Sequence, residues 1–493
     1  MRRNGLPVAR RRATGSTTAR RRATGSTTAR LCCLSLVAVV SACEGEPRVA
    51  GAGDAALPGS PPRTPDAFRG IGHIDGVDAG EPGAAGGSGA PSGAGGAGGQ
   101  TSPDWAPPLK LAFEPVPHDA PLLRATDLGF LPDGSGTFLW LDKDGAVHVM
   151  RLFGGRARRL GGYRVPDTFT ETDAGLLSVA FDPGFAQNRF VYLGVTIDRQ
   201  TNVIRRYRFV PGDGTATLTD AVEIMRVTGP GAREAWHNVG SMGFDEAGVM
   251  WALFGDKTLG APAEDPASPL GALLRFIPRT GPEGGFDTPA DNPFTASGGH
   301  PAVYAKGMRS PWKGLYHEGR WFFGDVGQDT AEEINVIDAP GLHFGWPRAE
   351  GPCETDCDGL TDPWMWYGRS ASHRFVAEDP DAVPAGLRSV WMGAIYRPGA
   401  PGAENDPYLG RWRDVLVFGD WATGFVRGRR VGEPGEPGSA HQGRDWPVAH
   451  LHHATGFAQG PDGFVYATAL GTWPADRETE TPSPLLRAVL ADE

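Results

Sequence analysis

From Trp105 onward, short apolar runs alternate with Gly, Asp and Pro. GTFLWLDKDGAVHVMRL, RFVYLGVTI, NVIRRYRFV, GVMWALFGD, GRWFFGDVG, DVLVFGDW and GFVYATAL are rich in β-branched and aromatic residues and end in turn formers, so they read as strands. Helical periodicity is hard to find. A local grammar recurs: an apolar residue, Asp or Pro, a Gly turn, then a strand. It is clearest in FLPDGSGTFLWL, FDEAGVMWALFGD and FAQGPDGFVYATA. Such recurrence marks a radial β-repeat, whose sheets cannot bury their own faces and must stack on neighbours. The pattern predicts an all-β chain, a six-bladed β-propeller over residues 105–493, at about forty to seventy residues per blade. A β-sandwich would use fewer strands and need a second domain. Propellers gather loops at one end of a central channel, so polar residues at the ends of inner strands are the ones to examine.

The first hundred residues cannot build this core. Residues 10–19 and 20–29 repeat the basic decamer RRRATGSTTA, followed by the apolar run LCCLSLVAVVSA and Cys43. A positive flank, a short apolar segment and small residues before a cleavage point predict an export signal over residues 1–43. The run is too short to span a bilayer comfortably. VSAC resembles a bacterial lipobox, which would make Cys43 the lipidated first residue of a mature protein anchored in the cell envelope, periplasmic or at the cell surface. An ordinary signal peptide with a chance cysteine is the alternative. Residues 44–104 are dominated by Gly, Ala, Pro and Ser and read as a flexible tether. On this reading the membrane is met only through the lipid.

The formal net charge of −11 argues against a general nucleic-acid binder, because phosphate contacts need a basic face. Of five cysteines, Cys32 and Cys33 would leave with the signal and Cys43 would be acylated. Cys353 and Cys357 remain in GPCETDCDG, and in an exported chain they read as a local disulfide. Half of a metal site is the other reading, with no His or Cys partner nearby in sequence.

Four stretches gather candidate chemistry: residues 171–196, 235–257, 304–353 and 390–428. Their phrases GLLSVAFDPGF, GMRSPW, EEINVI and FGWPRAEG, in this order, resemble the soluble quinoprotein glucose/sorbosone dehydrogenase family across most of residues 122–486. These are six-bladed propellers that use pyrroloquinoline quinone. GDVGQDTAEEIN is closer to the hedgehog-interacting-protein-like branch. Oxidising a sugar hydroxyl needs a base for its proton while hydride leaves carbon, and histidine suits that task near neutrality. The resemblance puts His237 at the family's base, Asp256 at its paired carboxylate and Arg309 at the guanidinium beside the quinone. It also implies cofactor contacts from Asp173, Ser310 and Arg397. Asp173 stands where the family commonly has Glu or Gln, and Ser310 where it usually has Asn. Late basic residues are missing from GDWATGF, where Ala422, Thr423 and Gly424 carry no charge; Lys257 and Arg427 are the substitutes at hand. Calcium is the second implied cofactor, through the Gly327 and Gln328 carbonyls, with Glu332, Glu333 and Asp325 as acids for a second ion. A solvated acidic turn is the plain alternative. The implied partners are a sugar substrate and an electron acceptor that the sequence does not name. Two other functions stand beside the dehydrogenase: a surface carbohydrate- or protein-binding propeller without chemistry and, on fold analogy alone, a calcium-dependent lactonase.

Overall fold

The structure is a computed structural model that describes residues 110–370, 375, 387–398, 406–432, 445–470 and 481–491. The segments expected to be an export signal (1–43, with Cys43) and a tether (44–104) lie outside the described residues. Six antiparallel sheets form, and their first strands pack side by side in chain order around one axis, the last against the first. This is the six-bladed propeller that the strand pattern predicts.

The first, inner strands are β2 (Ala125–Phe130), β6 (Leu176–Phe181), β10 (Val239–Phe244), β15 (Pro311–His317), β19 (Val390–Ile395) and β23 (Ala454–Gln459). The second strands are β3 (Thr137–Asp142), β7 (Phe190–Thr196), β11 (Met250–Phe254), β16 (Arg320–Asp325), β20 (Val415–Asp420) and β24 (Val465–Ala469). Every residue of the second strands is buried. They are covered on both faces by neighbouring blades, which is why they appear in the sequence as unbroken apolar runs. The sixth blade is completed by β1 (Leu111–Pro115), which pairs with β25 (Leu485–Leu490). The first and last strands of the fold are thereby joined, closing the ring without an open seam.

Two local devices shape the channel mouth. In five of the six blades the register between inner and second strands shifts close to the start of the inner strand, and in blade five it shifts between Met392 and Ile395, toward the strand's end. Such bulges bend a strand and re-aim the residues beside it. Close approach of neighbouring blades then requires glycine: a Cβ on Gly240 of β10 would lie 2.2 Å from the Pro311 carbonyl oxygen of β15. Below the mouth, Lys313 Nζ on β15 lies 3.4 Å from Asp127 Oδ1 on β2. Blades one and four face each other in a ring of six, so this ion pair crosses the axis and closes it.

Candidate active site

His237 precedes β10 and Asp256 follows β11, the antiparallel partner, so the two sit at the same end of one blade. His237 is buried with φ of 55°, a left-handed conformation that costs a non-glycine residue about 1–3 kcal/mol and persists only where its surroundings fix it. Room for it comes from Gly255, where a Cβ would fall 2.6 Å from the His237 carbonyl oxygen. His237 Nδ1 donates to Asp256 Oδ1 at 2.5 Å. That bond places the proton of the neutral ring on Nδ1 and the lone pair on Nε2. Asp256 is itself fixed by the Thr258 and Gly260 N–H groups at 2.7 and 3.0 Å and by Trp346 Nε1 at 2.8 Å. Burial pushes the Asp256 carboxyl up, but the His237 charge and hydrogen bond, Arg309 and Trp346 outweigh it and hold the acid below the usual carboxylate range.

Comparison among blades separates this pair from ordinary structure. Second strands in blades one, four and five end in Asp, and in blade three Asp256 stands two residues past the end of β11. In blades one, four and five the carboxylate ties down the backbone leading into the inner strand. Asp142 accepts from Leu123 N–H at 3.1 Å, Asp325 from Arg309 and Ser310 N–H at 2.9 and 2.6 Å, and Asp420 from Ser389 N–H at 2.9 Å. In blade three the equivalent backbone donor, His237 N–H, goes instead to Asp173 Oδ2 of blade two at 2.9 Å. Asp256 is thereby released to hold the imidazole.

Arg309 lies at the start of β15. Its carbonyl accepts from Asp256 N–H at 2.9 Å, its NH1 donates to Val326 O at 3.0 Å, and its guanidinium lies 5.4 Å from the Trp346 ring centre. Arg309 Nε is buried without a hydrogen-bond partner, a donor left available for an acceptor. Two buried ammonium groups flank Asp173. Lys143 is pushed down to about 7 and Lys257 to about 8, each by burial, with the Asp173 charge opposing the shift. Asp173 is raised by burial, against the pull of His237, Lys257 and Lys143. Lys143 directly follows the Asp that ends β3 and Lys257 directly follows Asp256 just past β11, so the Asp-Lys recurrence in WLDKDG and FGDK was a readable signal for Lys143. Trp346 and Asn238 were not readable as site residues: the first lies 90 positions from the aspartate it touches, and nothing marks the second except its place beside His237. A cavity of about 60 Å³ opens on the axis next to this group, lined by Thr126, Lys143, Asp173, Leu177, Trp312 and Trp421.

Several expected residues lie elsewhere. Arg397 follows the far end of β19, where it donates to His317 Nδ1 at 3.1 Å. The six-residue strand, roughly 20 Å long, separates it from the mouth, so it is not part of this site. Arg427 is on β21 (Phe425–Arg430), the third strand of its blade, in a buried pair with Asp445 at 2.5 Å. Of the two candidate replacements only Lys257 is at the mouth. Ser310 does border Arg309, and its N–H is held by Asp325.

Glu332 and Glu333 cannot share an ion. They are adjacent on β17 (Ala331–Ile337), and successive strand residues point to opposite faces. Glu332 forms a buried ion pair with Arg369 and accepts from Val390 N–H at 2.8 Å, which removes it as a metal ligand. Glu333 accepts from Gly351 N–H at 2.6 Å and from Asn335 Nδ2 at 2.9 Å, and pairs across strands with Asp325. Burial and the neighbouring Asp325 charge push Glu333 up to about 8; burial and the Asp256 charge push Asp325 up to about 7. The turn after Gly327 wraps the Glu350 carboxylate, which accepts the N–H groups of Gln328, Asp329, Thr330 and Ala331. Another His-carboxylate group among the described residues, His317 with Glu318 and Asp414, has Arg397 donating to Nδ1. That leaves a proton on Nε2, the atom a cation would need. Cys353 and Cys357 are joined as a disulfide, their Cα atoms 5.7 Å apart.

A closed six-bladed propeller carrying a His–Asp pair at its channel mouth is thus the class of molecule defined here. The chain belongs to the Glucose / Sorbosone dehydrogenase family, whose model matches residues 122–370. It is 26% identical over 321 residues to the HIPL1 protein of Arabidopsis thaliana, covering 51% of this chain and 44% of that one. It is 28% identical over 230 residues to the aldose sugar dehydrogenase YliI of Escherichia coli, covering 45% and 58%. The chain therefore spans about half the length of these relatives. The PQQ-bound aldose sugar dehydrogenase of Streptomyces coelicolor shares the fold, with a TM-score of 0.57, 20% identity, and coverage of 78% of this chain and 99% of that one.

Proposed function

We propose that this protein is an exported, quinone-dependent sugar dehydrogenase with His237 as general base. The observation that carries the reading is the buried His237–Asp256 hydrogen bond of 2.5 Å, in the one blade of those four where the aspartate does not bind the backbone leading into the inner strand. His237 Nε2 takes the proton of the sugar hydroxyl as the C–H pair of electrons leaves carbon, and Asp256 stabilises the imidazolium that forms. Bound pyrroloquinoline quinone supplies the two-electron acceptor for that hydride.

The residues present fit such a group in charge and hydrogen bonding. Arg309 Nε is a buried donor in need of an acceptor, Lys143 and Lys257 add positive potential, and Trp346 offers a flat aromatic wall. The quinone held by the Streptomyces coelicolor neighbour supports the assignment. Calcium is the proposed second cofactor, with Glu333 and Asp325 as the acidic pair available to it. The lipobox reading of Cys43 would hold the domain at the cell envelope through the tether. The sugar and the electron acceptor are to be identified by assay.

A second reading, a glycan- or protein-binding propeller without chemistry, is favoured by one observation: both lysine ammonium groups already bond protein oxygens. Reconstitution decides between them. Full-length protein is mixed with pyrroloquinoline quinone and calcium, and oxidation of an aldose panel is followed with an artificial electron acceptor. Turnover is expected, with kcat lowered about 10²–10⁴-fold in His237→Ala while circular dichroism shows the β-fold retained. Arg397→Ala serves as the control with unaltered cofactor binding. Absence of both quinone binding and turnover rejects the dehydrogenase, and glycan binding indifferent to His237→Ala establishes the second reading.

A further inference from the structure

The acid implied as a cofactor contact, Asp173, has both oxygens spent on blade three. Oδ2 accepts His237 N–H at 2.9 Å and Oδ1 accepts Asn238 Nδ2 at 2.5 Å. The Asn238 amide also donates to Ala235 O at 2.6 Å, and its oxygen accepts from Thr196 Oγ1 at 3.2 Å and from Lys257 Nζ. Lys257 directly follows Asp256, so the two residues that brace His237–Asn238 from the β11 side are consecutive. Asp256 takes the ring of His237 and Lys257 takes the amide of Asn238. Asp173 reaches over from the neighbouring blade to take the remaining backbone N–H. All of these groups are buried or nearly so.

A left-handed residue at the start of an inner strand does not need such an arrangement for its own sake. His453, which precedes β23, has φ of 58°, and its N–H is held by the Trp421 carbonyl at 2.9 Å. The fold can therefore stabilise this conformation with a backbone acceptor. At His237 it uses two side-chain carboxylates and a lysine, which also fix the direction of the imidazole.

We propose that Asp173, Asn238 and Lys257 form a positioning clamp that sets the backbone and ring orientation of His237, and that Asp173 is not a cofactor ligand. The inference rests on His237 being the base of the proposed reaction. Asp173 draws the His237 backbone toward blade two while Asp256 draws the ring toward β11, and the opposed pulls aim Nε2 at the mouth. Lys257 fixes Asn238 so that its NH₂ faces Asp173. Replacing the carboxylate with an amide leaves one acceptor for two donors, so its NH₂ faces either the Asn238 NH₂ or the His237 N–H and one of the two contacts is lost.

The test uses full-length Asp173→Asn and Lys257→Met proteins with three readouts. The first is the proton resonance of the His237 Nδ1–H in cofactor-free protein, assigned by its absence from His237→Ala. The others are pyrroloquinoline quinone affinity by absorbance titration, and kcat and KM for the sugar. Asp173→Asn is expected to move or broaden the Nδ1 proton and to lower kcat by about tenfold or more, with quinone affinity within about twofold and KM unchanged. Lys257→Met is expected to change the same quantities in the same direction by less, and it supplies the test if Asp173→Asn melts early. A tenfold or greater loss of quinone affinity in Asp173→Asn overturns the clamp in favour of a cofactor ligand. An unmoved Nδ1 proton overturns it as well. If the unmodified protein neither binds quinone nor turns over sugar, the dehydrogenase reading fails, while the Nδ1 resonance still decides whether the clamp exists.

Discussion

His237 is held at its backbone by Asp173 and at its ring by Asp256, and Asp256 is held in turn by two backbone N–H groups and Trp346. A base fixed in this way loses little orientational freedom as it takes a proton, which is where positioned acid–base groups gain their rate. The carboxylate matters in two ways, by selecting the tautomer and by stabilising the imidazolium. Asp256→Asn retains the size but can present NH₂ to the ring, which selects the wrong tautomer. The expected outcome is a fall in kcat of about 10²–10⁴-fold with a much smaller change in sugar KM. Steady-state kinetics on the reconstituted protein measures it, and a variant within threefold of the parent would remove Asp256 from the mechanism. Cooperation between Asp256 and Asp173 was partly legible: both were singled out by resemblance, but only their contacts reveal that one grips the ring and the other the backbone.

At the scale of elements, the repeated unit is an inner strand, a bulge, and a buried second strand whose terminal Asp ties the blade together. Asp420 shows the structural version. It accepts from Ser389, Ala422 and Thr423 N–H at 2.9 Å each and from Tyr367 OH at 2.6 Å. Asp420→Ala leaves several of these buried donors unpaired, at about 1–3 kcal/mol apiece. The expected result is a drop of several degrees or more in melting temperature, with quinone affinity of the folded fraction retained. Calorimetry beside the absorbance titration tests this, and an unchanged melting temperature would refute the role. The second strands were the most legible part of the chain because burial on both faces leaves no polar side. Outer strands such as β5 (Arg156–Arg164) alternate irregularly between exposed and buried positions and carry four arginines, so no simple period marks them.

At the scale of the whole molecule, β1 pairing with β25 makes stability a property of the closed ring, and buried ionisable groups near the axis tie that stability to pH. Asp325 and Glu333 have folded values of about 7 and about 8 against 3.8 and 4.5 in the unfolded chain. Between those limits the folded protein keeps protons that the unfolded chain has lost, so their contribution to stability falls as pH rises through about 7–8. Lys143 and Lys257 act in the opposite sense: their cost is full below about 7 and is relieved as pH climbs toward the unfolded value of 10.5. Against the parent, Glu333→Gln is therefore expected to gain in melting temperature between pH 5 and about 9. Calcium should stabilise the parent at the alkaline end and leave the variant unaffected. A difference that does not vary with pH would show that Glu333 is ionised throughout.

The sequence by itself determined the all-β class and the repeat, which follow from short-range grammar: apolar strands with Gly and Asp turns. The His237–Asp256 pairing was implied by the family resemblance, and the position of both residues at the same end of one hairpin is compatible with it. The sequence also contained the basic leader, Cys43 and the tether, whose roles remain proposals. Only the tertiary structure decided the rest. Arg397 belongs to the far end of its strand, Glu332 and Glu333 face opposite ways, and Asp173 spends its oxygens on a neighbouring blade. Trp346 reaches Asp256 across 90 positions of chain. These outcomes depend on strand direction, side-chain alternation and ring closure, which bring together residues that no local pattern relates.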